Sequence, residues 1–205
     1  HIFPHAVIGE APQDLKYAGE YSTVVIGDGN DIHEFATIHR ATGENCETRI
    51  GSHNMLQAYT HVAHNSNFGD YIVVSSFSGV AGHVTVEDHA VIGAMSGVHQ
   101  FVKVGALAMV GGMSKIVQDV CPFVIADGNP ARVVGLNAVG IARNKIPAES
   151  KSALKKAYRL IFRSGLKLNE AIEEMEQELP STPEIEHLLY FLRNCDRGLC
   201  RTRDR

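Results

Sequence analysis

His61 and His64 stand three residues apart in the stretch HVAHNSNFG (residues 61–69), and His83 and His99 follow at intervals of nineteen and sixteen residues. Imidazole titrates near neutral pH and binds divalent metals in its neutral form. Histidines in this number therefore suit three roles: a general base with a helper, a zinc triad, or polar side chains on surface turns. Cys46, Cys121, Cys195 and Cys200 contain no CxxC pair, which disfavours a zinc knuckle or a disulfide framework and fits a reducing cytoplasm.

Which role applies depends on the elements that carry the histidines. Apolar residues recur at an unbroken six-residue spacing from Ile50 through Leu56, Val62, Phe68, Val74 and onward to Ile116. The frame reaches upstream to Ile8, Ile26, Ile32 and Ile38, but Asp14, Glu20 and Glu44 interrupt it and predict loops around 10–22 and 40–48. Small residues such as Thr60, Ser66 and Ser78 sit two before the apolar positions, and Gly often follows, as at Ile50-Gly51 and Phe68-Gly69. A period of six suits neither a helix nor an amphipathic strand; three such units make an eighteen-residue coil of three short strands. The spacing predicts a left-handed parallel β-helix of hexapeptide repeats over residues 1–135. A small α-helical C-terminal domain is predicted over 136–205.

Within that tail, residues 148–164 form a helix with Leu154, Tyr158, Ile161 and Phe162 on one face, ending before Gly165. A second helix follows Asn169, and a third begins with Thr182 as N-cap and Pro183 at its first position. Lys151, Lys155, Arg159 and Arg163 make a basic stripe on the first of these helices.

Adjacent coils lie about 4.8 Å apart, so residues eighteen apart become neighbours. His61, His64, His83 and His99 then fall along one edge of successive coils, and four aligned histidines favour a site where a single one would not. Composition bounds its partners. With 44% hydrophobic residues in 205, the chain can build a continuous core, while a net charge of −4 argues against nucleic acid. No run approaches the roughly 18 apolar residues of a membrane span, and no basic-then-apolar leader opens the chain. The first residue is His1 rather than methionine, which suggests an absent upstream portion.

QDLKYAGE (13–20), IHRAT (38–42), HVAHNSN (61–67), GVAGHVTV (79–86), GVHQF (97–101), VGGMS (110–114) and GNPARVVGLN (128–137), in this order, resemble the acyl-carrier-protein-dependent UDP-N-acetylglucosamine O-acyltransferases of lipid A biosynthesis. LIFRSG (160–165) extends the likeness into the helical tail. The resemblance implies a cytoplasmic homotrimer that moves an (R)-3-hydroxyacyl group from acyl carrier protein to the 3-hydroxyl of UDP-N-acetylglucosamine. No cofactor is implied beyond the phosphopantetheine that carries the acyl donor, and no metal; a histidine triad like that of hexapeptide carbonic anhydrases would need wider spacing than His-x-x-His.

On the same likeness His64 is the general base, the Gly82 N–H stabilises the oxyanion, and Asn65 orients the base. Asp14, Lys16, His61 and His83 hold the sugar end; His99, Gln100, Asn137 and Arg143 lie toward the nucleotide; Gly112 floors the acyl groove. The chain departs from the family pattern at Asn65, where Asp is expected, and at Val139 and Asn144, where Glu and Arg are expected. Family members also carry about three further coils upstream. Two other readings stand beside this one: a sugar N-acyltransferase or a relative preferring a diamino sugar, and a catalytically silent trimeric scaffold.

Overall fold

The computed structural model describes residues 1–202. Most of it is a left-handed β-helix whose three faces are sheets of short, mainly parallel strands. The eighteen-residue register is explicit on the face that matters here. His61 pairs with Gly79 and Gly79 with Gly97, while Val62, Val80 and Val98 stack one coil above another. The frame residues Ile50, Leu56, Val62, Val74 and Val80 are buried, so the six-residue period is the period of the core.

The corners explain the hand of the coil. Each turns on a residue in the left-handed region, including Tyr59 (φ 61°), Asn65 (φ 57°), Phe77 (φ 62°) and His83 (φ 61°). That conformation costs a non-glycine residue about 1–2 kcal/mol. Ring stacking between coils helps offset it: Phe35 stacks on Tyr59 at 4.8 Å, Tyr59 on Phe77 at 4.9 Å, and His83 on Phe101 at 4.7 Å. The small buried serines bind the next coil, with Ser66 Oγ donating to the Ala81 carbonyl at 3.1 Å and Ser78 Oγ to that of Gly93 at 2.8 Å.

Where Asp14, Glu20 and Glu44 break the frame, two segments leave the prism and bind each other. The Gly43 N–H donates to Glu20 Oε1 at 2.7 Å, and Arg40 donates to the Tyr17 hydroxyl at 2.7 Å and to the Gly9 carbonyl at 2.9 Å.

The hexapeptide frame stops at Ile116 rather than running evenly to 135. Val124–Gly128 still pairs in parallel with Met109–Val110, but Ala131–Leu136 folds back against it antiparallel, so a hairpin ends the prism. Four helices follow: α1 Ala138–Arg143, α2 Ala148–Arg163, α3 Leu168–Glu178 and α4 Pro183–Arg193. Gly165 (φ 82°) follows α2, and Thr182 Oγ1 caps α4 by accepting the Ile185 N–H at 3.4 Å. Helix α3 starts one residue before Asn169 because Glu170 reaches back to the Lys167 N–H at 2.8 Å, a cap with no Ser, Thr or Asn signature.

The tail packs along the prism. His187 Nε2 meets Glu87 Oε2 at 2.8 Å, Lys103 Nζ meets Asp196 at 2.6 Å, and buried Asp119 accepts the Arg197 N–H at 3.1 Å. Burial raises the thiol pKa values of Cys121, Cys195 and Cys200, that of Cys195 to about 12, so these cysteines are protonated and unreactive near neutral pH. Among the described residues no helix is long and apolar enough to cross a membrane.

Candidate active site

The strand register places His64, Gly82 and Gln100 in one column, Asn65, His83 and Phe101 in the next, and Ala63, Ala81 and His99 in a third. In the first column the His64 ring occupies the space a side chain at 82 would need. A Cβ on Gly82 would come within 2.6 Å of both Cε1 and Nε2. Glycine is therefore required for the imidazole to lie directly against the backbone of the neighbouring coil.

His64 Nδ1 lies 2.8 Å from Asn65 Oδ1, and Nε2 lies 3.9 Å from the Asp14 carboxylate. His83 meets the His64 ring edge to face at 5.2 Å. On the coil of His64 itself, His61 Nδ1 is 2.7 Å from Thr37 Oγ1 of the preceding coil, and its ring meets that of His39 edge-on at 5.1 Å. His39, His61 and His64, with Gln13, Gly82 and Gln100, line a cleft of about 440 Å³. The rings do not converge on a point, and among the described residues no group of three His, Cys, Asp or Glu is placed to hold a metal ion.

Electrostatics keep the helpers neutral. Burial lowers the pKa values of His39, His61 and His83, with the neighbouring imidazole of His64 adding to the effect. Asp14 is held below the usual carboxylate range, first by the Lys16 N–H at 3.1 Å and then by the Thr42 hydroxyl and His64. One carboxylate thus faces Nε2 of an imidazole surrounded by uncharged rings. Lys16 itself is exposed at the rim.

Some expected residues lie apart from this cleft. His99 follows His83 by sixteen residues rather than eighteen, so it stands two positions out of the His83 column; its Nδ1 lies 3.2 Å from the Gln100 carbonyl and 3.4 Å from the Arg197 guanidinium. The four histidines do not share one edge. Asn137 is 7% exposed and its amide is fully engaged, accepting the Gly140 N–H at 2.9 Å to cap α1 and donating to the Leu107 carbonyl at 2.8 Å. Arg143 is exposed at the end of α1. Gly112 is exposed on an outer corner, beside Met113 at 73% and one coil from Met95 at 60% exposure.

His39, Thr37, Thr42 and Gln13 are the site residues that sequence reasoning missed. Ile38 is in the apolar frame, so His39 was placed by the same periodicity that placed His61; the 40–48 interruption hid the alignment.

A left-handed hexapeptide prism with an imidazole packed against a glycine of the neighbouring coil at a lateral cleft is the architecture of the hexapeptide-repeat acyltransferases. A family profile described as "Udp N-acetylglucosamine O-acyltransferase; Domain 2" matches residues 119–200. The chain is 56% identical over 197 residues to the acyl-(acyl-carrier-protein)–UDP-N-acetylglucosamine O-acyltransferase of Rippkaea orientalis, covering 96% of this chain and 71% of that one. It is 52% identical over 200 residues to the enzyme of the same name from Fusobacterium nucleatum, covering 98% and 78%. The solved structure of LpxA from Acinetobacter baumannii superposes with a TM-score of 0.94 at 43% identity, over 98% of this chain and 78% of that one. The chain belongs to the UDP-N-acetylglucosamine O-acyltransferase family, and it is an acyltransferase.

Proposed function

We propose that the protein transfers an (R)-3-hydroxyacyl group from the phosphopantetheine thioester of acyl carrier protein to the 3-hydroxyl of UDP-N-acetylglucosamine, the first step of lipid A biosynthesis. His64 Nε2 takes the hydroxyl proton as the oxygen attacks the thioester carbonyl. The Gly82 N–H, directly beside that ring, stabilises the oxyanion. Collapse breaks the C–S bond, and the imidazolium returns its proton to the departing thiolate. Asp14, rather than residue 65, supplies the negative charge that favours the imidazolium. Lys16, His61 and His83 hold the sugar around that proton transfer.

The observation that carries this reading is the placement of the His64 imidazole against Gly82 in one column, at the cleft. The exposed apolar column of Phe35, Tyr59, Phe77, Met95 and Met113 supports self-association, as in the homotrimer proposed, since a contiguous apolar ridge of this length favours burial against another copy. In that assembly His99, Gln100 and Arg143 would serve the nucleotide side, with Asn137 holding the start of α1 beside them. Incubation with labelled acyl carrier protein thioester and UDP-N-acetylglucosamine, in competition with its 3-amino analogue, tests the proposal. An O-acyl product is expected; exclusive N-acylation, or no transfer by a folded protein, would replace it with the amino-sugar or scaffold reading.

A further inference from the structure

His64 is gripped from behind by a contact that crosses to the 40–45 loop. Asn65 Oδ1, 2.8 Å from His64 Nδ1, also accepts the Thr42 N–H at 3.0 Å, while Asn65 Nδ2 donates to the Thr42 carbonyl at 3.0 Å. The two ends of a carboxamide are nearly identical in shape, so its direction is set by what it bonds. Here the main chain of one residue presents one donor and one acceptor. The reversed amide would oppose NH2 to N–H and oxygen to oxygen.

The consequence passes to the imidazole. Oδ1 can only accept, so His64 Nδ1 must carry a hydrogen, and in the neutral ring Nε2 is left with its lone pair on the Asp14 side. Asn65 is itself fixed, with φ 57° and its N–H donating to Thr48 Oγ1 at 2.8 Å. The clamp is braced from outside, because the Gly43 N–H that follows Thr42 is held by Glu20 of the loop that carries Asp14.

We infer that Thr42 is a positioning residue: its backbone N–H and C=O lock the Asn65 carboxamide in one direction and thereby keep His64 in the Nδ1–H tautomer, with Nε2 open to the acceptor hydroxyl. The catalytic part of this inference rests on the reading of His64 as the base. It also gives a reason for Asn at 65. An aspartate there would turn an unprotonated oxygen toward the Thr42 carbonyl, so this loop requires an uncharged donor.

Long-range proton–nitrogen NMR on the whole chain labelled with 15N-histidine reads the tautomer directly, the His64 signal being the one lost in His64→Gln. Nδ1–H is expected in the wild type. In Asn65→Ala the proton should distribute over both nitrogens, and kcat should fall about 10²–10⁴-fold, with KM for the sugar nucleotide moved less than about threefold. Asn65→Asp should melt below the wild type by a gap that narrows as pH falls, because the unfavourable contact raises the carboxyl pKa and protonation restores a donor to the Thr42 carbonyl. An Nε2–H tautomer in the wild type, or an Asn65→Asp gap independent of pH, would overturn the clamp. Lost tautomer preference with full kcat in Asn65→Ala would instead overturn His64 as the base while the clamp stood.

Discussion

Gly82 lies one coil beyond His64 in the same column, and the imidazole occupies the volume where a side chain at 82 would begin, 2.6 Å from an ideal Cβ. The residues proposed as base and oxyanion donor are thus adjacent because one of them has no side chain. Gly82→Ala should push the ring away from its N–H and lower kcat by about 10²–10³-fold, the loss typical of a displaced oxyanion donor or base. His64→Ala should lower kcat at least about 10²-fold with little change in melting temperature, because the base lies outside the apolar frame. The cycle is informative. In the His64→Ala background Gly82→Ala meets no ring, so its destabilisation should vanish; an unchanged cost in the double mutant would show that the conflict lies elsewhere.

The buried histidines make stability depend on pH. Burial lowers the folded-state pKa of His39 and His61, so both fold neutral, while in the unfolded chain they titrate near about 6.5. Their contribution is full above that value and is lost as pH falls through the lower folded values. His39 is the better probe because its Nδ1 is buried without a partner. Melting temperatures from pH 7.5 to 5 should drop less steeply for His39→Gln than for the wild type; parallel curves would assign the acid limb to other groups. His187 has the opposite sign: its hydrogen bond to Glu87 raises its pKa, so its stabilisation is present at low pH and fades as pH rises through that raised value. The pair is partly exposed, and its effect is correspondingly small.

The prism was legible in the sequence because its core repeats: each frame residue is chosen by the same environment six positions on. The helices of the tail were legible where side chains cap them, as Thr182 does, and misplaced by two residues where Lys167 and Glu170 supply the cap through a long side chain. Periodicity failed at the loops. The 40–48 bulge shifts the spacing from eighteen to twenty-four between Ile38 and Val62, which hid His39 opposite Ala63, and Thr42 makes its decisive contacts through its main chain, which no side-chain motif records. Asn137 shows the converse. Its place in a family motif suggested ligand contact, whereas both ends of its amide are spent on a helix cap and the Leu107 carbonyl.

The helical tail presents charge outward. On α2 the buried residues include Ala153, Leu154, Ala157 and Ile161, while Lys155, Arg159 and Arg163 are exposed and Lys151 is half-buried. An acidic carrier protein approaching this face would be steered by these cations, an effect expressed mainly in association rate and screened by salt. Reversing two of the charges, as in Lys155→Glu with Arg159→Glu, should raise KM for the acyl carrier protein thioester, leave KM for the sugar nucleotide in place, and flatten the salt dependence. An unchanged KM across salt concentrations would leave the stripe as a solvated face.

Acyl length is the remaining property with a residue attached to it. Gly112 has no positive φ to explain it, and a Cβ there would touch only Ala94, with its carbonyl oxygen at 3.3 Å. The backbone can therefore carry a side chain at 112 with a shift of a few tenths of an ångström. Because the position is exposed at an outer corner beside Met113, that side chain would project over the surface rather than into the core. If the acyl chain of the donor runs along this corner, glycine lets it pass and a bulky residue ends it. Gly112→Met should fold with a nearly native melting temperature and shift the optimum donor to a shorter hydroxyacyl chain. Each methylene excluded from an apolar groove forfeits about 0.8 kcal/mol, roughly fourfold in kcat/KM. Measuring kcat/KM across a series of donor lengths in both proteins checks this: the wild type should favour the longer donors, and an identical optimum in a folded Gly112→Met protein would place the measurement of chain length on another part of the surface.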